Sequence, residues 1–245
     1  MPEMPVELSI VMPAYNEEVA IAAAVEDILI HVVPHVASAQ IVVVNDGSKD
    51  RTLSILQEIA AREPRLTLID RKNGGHGPAV ITGLNAAAGA HLLQLDSDRQ
   101  ITLDDFGAAW AAYRTGDALI GIRADRHDGA VRAVISRSMR IVLRVLFGKA
   151  PRDPNIPFKI VSQADWQRAA SAIGPDNPLP SVLLALYLTK SGARIVQYPI
   201  THRARQGSVS ELRGWKLFKF CVLAGRTLLA FRLNPEVRAL RARPQ

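Results

Sequence analysis

LSIVMPAYNEE, residues 8–18, is a short run of Leu, Ile, Val and Met that turns polar after Pro13 and opens onto a helical stretch near 17–32. The same order recurs three times. QIVVVNDGSKD (40–50) leads to a helix near 50–62, and LTLI (66–69) leads through NGGHGPA (73–79) to a helix near 78–89. HLLQL (91–95) then ends in DSDRQ (96–100). Runs so uniformly apolar are strands buried on both faces, which is how parallel sheets are written. Strand, polar loop and helix in alternation predict an α/β fold, with a mostly parallel sheet and helices on both faces. Ligands of such sheets bind beyond the carboxyl ends of the strands, where each of these polar loops falls. Ser48 or Asp50 offers an N-cap for the second helix.

The second half is less regular. A helix near 102–114 precedes a strand at 117–122, a long helix near 130–147 and a proline-rich turn, APRDPNIP (150–157). A strand near 158–161, helices near 163–173 and 180–190, and a strand near 193–198 follow; from 211 onward the chain reads as helix. No internal repeat or interdomain linker is visible. With 245 residues, 48% of them hydrophobic, the chain can bury a full core and is not a disordered one. The single cysteine, Cys221, excludes an internal disulfide framework. The N-terminus lacks signal-peptide character and no run reaches about 18 uncharged apolar residues, so the expectation is a cytoplasmic chain.

Asp96-Ser97-Asp98 follows the fourth strand. Strand period would set both carboxylates on one side, where one hard divalent cation, Mg²⁺ or Mn²⁺, could bridge them to substrate phosphates. Gln100 extends the series and offers a carbonyl oxygen. A D-x-D on its own is also an ordinary polar turn. Pro13-Ala14-Tyr15-Asn16-Glu17-Glu18, Asn45-Asp46-Gly47-Ser48-Lys49-Asp50 and Asn73-Gly74-Gly75-His76-Gly77-Pro78-Ala79 occupy equivalent places at one sheet edge. Glycines that admit close backbone approach, followed by a helix N-terminus, favour phosphate. Taken together the loops describe a pocket for a nucleotide diphosphate.

These four motifs, in this order and spacing, resemble glycosyltransferase family 2 over about residues 8–210. The resemblance implies the GT-A fold and an inverting, metal-dependent glycosyltransferase, in all expectation a hexosyltransferase, using a GDP- or UDP-linked sugar. By position, Pro13, Tyr15, Asn16, Glu17, Asp46, Gly75, Gly77, Asp96 and Ser97 would hold the nucleotide, and Asp96, Asp98 and Gln100 the metal. Asn45 departs from the first aspartate usual in the family. DSDRQ, Gly121-Ile122-Arg123, Arg132 with Ser136, Asp153 before Phe158-Lys159, and PITHRARQGS (199–208) further resemble the branch that makes polyprenyl-phosphate sugars. This adds Arg123, Arg132, Ser136, Asp153 and Arg205 as candidate catalytic residues.

A lipid phosphate is already an anionic nucleophile, so it needs its charge positioned rather than a strong base. Arginines at 123, 132 and 205 could position it through paired hydrogen bonds. A saccharide hydroxyl would need a base, for which Asp153 is the placed candidate. That acceptor class stays open, as does a non-catalytic nucleotide- or anion-binding module. Residues 120–160 and 201–245 contribute +6 and +8 to the net charge of +7, so the remainder carries −7. The basic segments lack interleaved aromatics at a recognisable spacing, and nucleic acid is not an expected partner.

In a helix at 130–147, Arg132, Ser136, Arg137, Arg140 and Arg144 would share roughly 140° of arc. In the tail, Lys216, Lys219 and Arg226 cluster within about 80°, opposite a broad apolar face. Both patterns suit either a core-facing helix with a wet basic side or a helix lying on an anionic membrane surface. The expected layout is a catalytic domain over 1–210 and an amphipathic helical tail over 211–245. The tail would attach the protein peripherally to the cytoplasmic face of the inner or plasma membrane.

Overall fold

A computed structural model describes residues 5–123, 143–203 and 215–240, with the backbone alone for 215–218 and 220. The four strands of the first half form where the sequence places them: β1 Leu8–Ala14, β2 Ala39–Asn45, β3 Leu66–Asp70 and β4 His91–Leu95. Between them lie α1 Ile21–His31, α2 Thr52–Ala60 and α3 His76–Ala86. Then come α4 Phe106–Tyr113, β5 Ala118–Arg123, β6 Phe158–Ser162, α5 Gln163–Ile173, α6 Pro180–Lys190 and β7 Ile195–Ile200. Two C-terminal helices, α7 Trp215–Leu233 and α8 Pro235–Ala239, complete the described chain.

The seven strands run in the order β3-β2-β1-β4-β6-β5-β7. All neighbouring pairs are parallel except those of β6, which is antiparallel to both β4 and β5. This one reversal matters for the site. The carboxyl ends of the parallel strands and the amino end of β6 meet at one edge of the sheet. The 150–157 turn, which precedes β6, therefore joins the loops that follow the other strands.

Every residue of β1 is buried, and alternation along β1 and β2 divides them between two cores. Leu8, Ile10, Met12, Ile41 and Val43 pack with α1, α2 and α4; Val11, Val42 and Val44 pack with α3, α5, α6 and α7. Helix α1 buries Ile21, Ala24, Val25 and Ile28, one stripe of a 3.6-residue period. Ser162 caps α5, accepting from the Asp165 N–H at 3.0 Å, and Pro180 takes the first turn of α6 where no donor is needed.

Three sequence expectations change. The residue flanking α2 is Arg51; Asp50 lies one position earlier, though its Oδ1 accepts the Thr52 N–H at 3.0 Å. Ser48 caps nothing and instead joins two loops, accepting from Asn16 N–H at 3.0 Å. Thirdly, α7 turns Ala224, Leu228 and Phe231 into the core. It leaves Val222, Leu223, Leu229 and Leu233 exposed alongside Lys219 and Arg226. Its described apolar side chains thus divide between the core and the outside. Of the helix expected near 130–147, only 143–147 falls within the described residues, and it is helical. No described helix is long and apolar enough to cross a membrane.

Candidate active site

Two loops after β1 and β2 lock into each other. Asn16 adopts φ 53°, a left-handed conformation that Asn tolerates better than most residues. Its Oδ1 accepts the Lys49 N–H at 2.8 Å, while Glu17 N–H donates to Thr52 Oγ1 at 2.8 Å and Glu18 N–H to Asp50 Oδ2 at 3.2 Å. Asn16 is therefore a brace between loops, with exposed Tyr15 beside it. Ser97 has a similar part: buried, it donates to the Pro13 carbonyl at 2.9 Å and fastens the end of β4 to the end of β1.

Asp46 is buried, and its carboxylate gathers the glycine loop. Oδ1 accepts from Gly74 N–H at 3.0 Å and lies 3.3 Å from Arg71 Nε, while Oδ2 accepts from Gly75 N–H at 2.8 Å. The carboxylate thus shapes the loop that leads into α3. Asn45, where an aspartate is usual in the resemblance, donates through Nδ2 to Asp70 Oδ1 at 2.6 Å across the β2–β3 ladder. Only a donor can make that contact. Gly75 holds φ 94° at the start of α3 with open space where a Cβ would stand. Gly77 is small for a different reason: a Cβ there would sit 2.2 Å from the Asn177 carbonyl oxygen.

Asp96, Ser97 and Asp98 lie past the end of β4, in a turn, so strand period is not what pairs the carboxylates. Their proximity shows instead in their electrostatics. Burial pushes the Asp96 carboxyl up, and the Asp98 charge pushes the same way, against the pull of His76, Lys159 and Arg123. Asp96 Oδ1 is buried without a hydrogen-bond partner among the described residues, and His76 Nε2 stands 3.8 Å away. An unpartnered buried carboxylate oxygen beside a second carboxylate suits a hard divalent cation. No group of three or more His, Cys, Asp or Glu able to hold a metal forms among the described residues. The donor set matches an ion that takes its other ligands from phosphate oxygens and water.

Gln100 N–H donates to Asp98 Oδ1 at 3.1 Å, and Arg99, at φ 56°, ion-pairs with Asp27 of α1 at 2.7 Å. Gln100 also exchanges contacts with Arg203, whose N–H donates to the Gln100 carbonyl at 2.7 Å; Ile101 bridges to His202. The segment entering the late basic loop is thereby tied to the carboxylate turn. On the far side, Arg123 at the end of β5 donates to Asp153 Oδ2 at 2.8 Å, with Asp153 buried and Arg123 partly open. The structure thus brings Asp96, Asp98, Gln100, Arg123 and Asp153 to one sheet edge. Arg132, Ser136 and Arg205 lie outside the described residues.

Two residues carry more than the sequence assigned them. His76 sits inside a motif quoted for its glycines; its place at the start of a helix was readable in the sequence, its approach to Asp96 at 3.8 Å was not. Lys159, the second residue of β6, is completely buried. Burial lowers its amine from 10.5 to about 7, overcoming the fields of Asp153 and Asp96; Arg123 lowers it further. Between those values the unfolded chain binds more protons at this residue than the folded one does, so the contribution to stability rises with pH across that window. Thermal midpoints should therefore climb from pH 7 toward pH 9, and Lys159→Met should flatten the slope. A parallel slope in the variant would assign the climb to other groups.

Residues 9–168 match the family described as glycosyl transferase family 2. Undecaprenyl-phosphate 4-deoxy-4-formamido-L-arabinose transferase from Pectobacterium carotovorum is 29% identical over 150 residues, 60% of this chain and 46% of that protein. Dodecaprenyl-phosphate galacturonate synthase from Rhizobium johnstonii is 27% identical over 215 residues, 86% of this chain and 63% of that one. The chain therefore spans between about half and two thirds of these relatives. Glucosyl-3-phosphoglycerate synthase from Mycobacterium tuberculosis, solved with Mn²⁺, UDP-glucose and phosphoglyceric acid, superposes with a TM-score of 0.63 at 20% identity, covering 93% and 80% of the two chains. That likeness shows the GT-A fold. With the match covering well over half its length, the chain belongs to glycosyl transferase family 2.

Proposed function

We propose that this chain transfers a sugar, with inversion, from a nucleotide diphosphate sugar to a polyprenyl phosphate at the cytoplasmic membrane face. Two relatives whose names specify polyprenyl phosphates support the acceptor class. The observation that carries the reading is the placement of a carboxylate pair and an arginine at the same sheet edge, Asp96 and Asp98 on one side and Arg123 on the other.

Asp96, Asp98 and Gln100 would hold Mg²⁺ or Mn²⁺, which would supply Lewis-acid neutralisation of the departing diphosphate. The 71–75 loop, gathered by Asp46, would set Gly75 and the start of α3 against the donor phosphates. Arg123 is fixed by Asp153 through Nη1, and its other N–H donors would bind an acceptor phosphate. We assign Arg132, Ser136 and Arg205 to the same acceptor end. Tyr15, Glu17 and Pro13 face the nucleoside in this reading, and GDP- and UDP-linked donors are both accommodated by it. The test offers labelled nucleotide sugars together with polyprenyl phosphate or with the corresponding polyprenol. Transfer to the phosphate alone is expected; equal use of the alcohol would favour a hydroxyl acceptor with Asp153 as base.

The exposed apolar side chains of α7 and its cations support a peripheral membrane contact for the 211–245 tail. At the end of α7, a cavity of about 610 Å³ is lined by Leu233 and Val145 together with Lys190, Arg232 and Arg238, so apolar and cationic groups continue together. The protein should float with anionic liposomes at low salt, and removal of 211–245 should weaken that association. High salt should reduce the part due to charge, since exposed charges are screened within about 10 Å at 0.1 M ionic strength. No vesicle binding at low salt would contradict the membrane contact.

A further inference from the structure

A lysine is almost never fully buried unless it has partners. Lys159 is wholly buried in the centre of the sheet, opposite Gln94 of β4 on one side and Ile120 of β5 on the other. An apolar side chain would fill such a position at lower desolvation cost, so the amine's contacts are what set it apart. Its Nζ donates to the Ile156 carbonyl, and the Ile156 N–H returns to the Asp153 carbonyl at 3.4 Å. The turn before β6 is thus closed from inside by Lys159 and from its backbone by Asp153. Asp153 in turn holds Arg123 at 2.8 Å. The carboxylates whose fields act on the amine are Asp153, before β6, and Asp96, after β4, while the Arg123 guanidinium acts against them.

We infer that Lys159 is a positioning residue: by pinning the 153–158 turn it holds Asp153, and through Asp153 it aims Arg123 at the acceptor phosphate. It touches no substrate, being enclosed on all sides. The contact requires only an N–H on the amine, so it persists in either protonation state. The inference rests on the proposal that Arg123 meets the acceptor.

The test is a double-mutant cycle of Lys159→Met and Asp153→Asn in the full chain, read in three ways: UDP affinity with Mn²⁺, steady-state transfer to polyprenyl phosphate, and thermal midpoint. Each single variant should keep UDP affinity within about threefold while losing at least about tenfold in transfer. The double variant should lose no more than the worse single variant, because residues acting through one another are not additive. Additive losses, transfer within threefold of the parent in Lys159→Met, or a matching loss of UDP affinity would each overturn the inference. Should Lys159→Met fail to fold, Lys159→Gln, which keeps an N–H donor without the charge, serves as the conservative variant: transfer within about threefold of the parent is expected, and a tenfold loss with UDP affinity intact would overturn the inference. If the parent itself shows no transfer to lipid phosphate, it is the acceptor proposal that fails. The midpoint cycle, which needs no acceptor, then decides the inference: additive shifts reject the coupling of Lys159 to Asp153.

Discussion

Asp98→Ala is expected to abolish sugar transfer while changing the thermal midpoint of the metal-free fold little. Two small effects oppose each other there, since the Gln100 N–H loses its acceptor at 3.1 Å while a like charge leaves Asp96. Without a cation, Asp98 is a like charge that pushes the partly buried Asp96 carboxyl up, and removing it relieves that repulsion. During transfer the same carboxylate would help hold the ion that neutralises the leaving diphosphate. Losing such stabilisation is worth several kcal/mol, on the order of a thousandfold in rate. EDTA should reproduce the loss in the parent, and added Mn²⁺ should restore the parent but not the variant. Full activity in metal-free buffer would remove the metal from the account. A large fall in thermal midpoint would instead make Asp98 a structural residue of the 96–102 turn.

Arg123→Ala should impair use of the acceptor far more than binding of the donor. A hydrogen bond to a charged group is worth about 1.5–3 kcal/mol, so roughly a ten- to hundredfold loss in kcat/KM for lipid phosphate is expected. UDP affinity should change little, because Arg123 stands across the sheet edge from the 71–75 loop. Some loss of stability should accompany the variant, since Asp153 is buried and loses the Nη1 donor at 2.8 Å. Arg123→Lys keeps a charge without the planar fork and should recover stability better than it recovers transfer. Loss of nucleotide affinity alone would move Arg123 into the donor pocket.

Much of the fold was legible because it is written locally. Four apolar runs, each followed by a polar loop and a helix, state a parallel α/β sheet, and β1 to β4 appear at the positions read. The direction of β6 was not legible. Phe158–Ser162 has the same short apolar character in either orientation, and its reversal depends on pairing between β4 and β5. That reversal is what brings Asp153 to the site, so a position known only by resemblance gains its place from topology.

At the site, the residue types were readable but several of their partners were not. Asp46 and Asn16 stand in motifs read from the sequence as a nucleotide pocket, yet their side-chain atoms are taken by Gly74, Gly75 and Lys49, contacts between loops far apart in sequence. Ser48 has the chemistry of an N-cap and serves as a tie because Asn16 lies within reach. The carboxylate pair was readable as a pair but for the wrong local reason, since a turn and not a strand carries it. The tail helix shows the limit of helical periodicity. A wheel finds a broad apolar arc in 215–233, but it cannot say that Ala224, Leu228 and Phe231 belong to the core while Val222, Leu223 and Leu229 do not.

The central claim is that the acceptor is a lipid phosphate, and the chemistry of the product tests it most directly. The full chain would be incubated with Mn²⁺, polyprenyl phosphate in anionic vesicles, a saccharide acceptor and a set of labelled UDP- and GDP-linked sugars. The organic-extractable product would then be analysed by mass spectrometry before and after mild acid, and its anomeric configuration read by NMR. The expected product is polyprenyl phosphate carrying one sugar joined through the phosphate, with the anomeric configuration inverted and the sugar released by mild acid. A sugar found on a saccharide hydroxyl, or a lipid fraction left unlabelled with every donor while a saccharide acceptor is labelled, would contradict it.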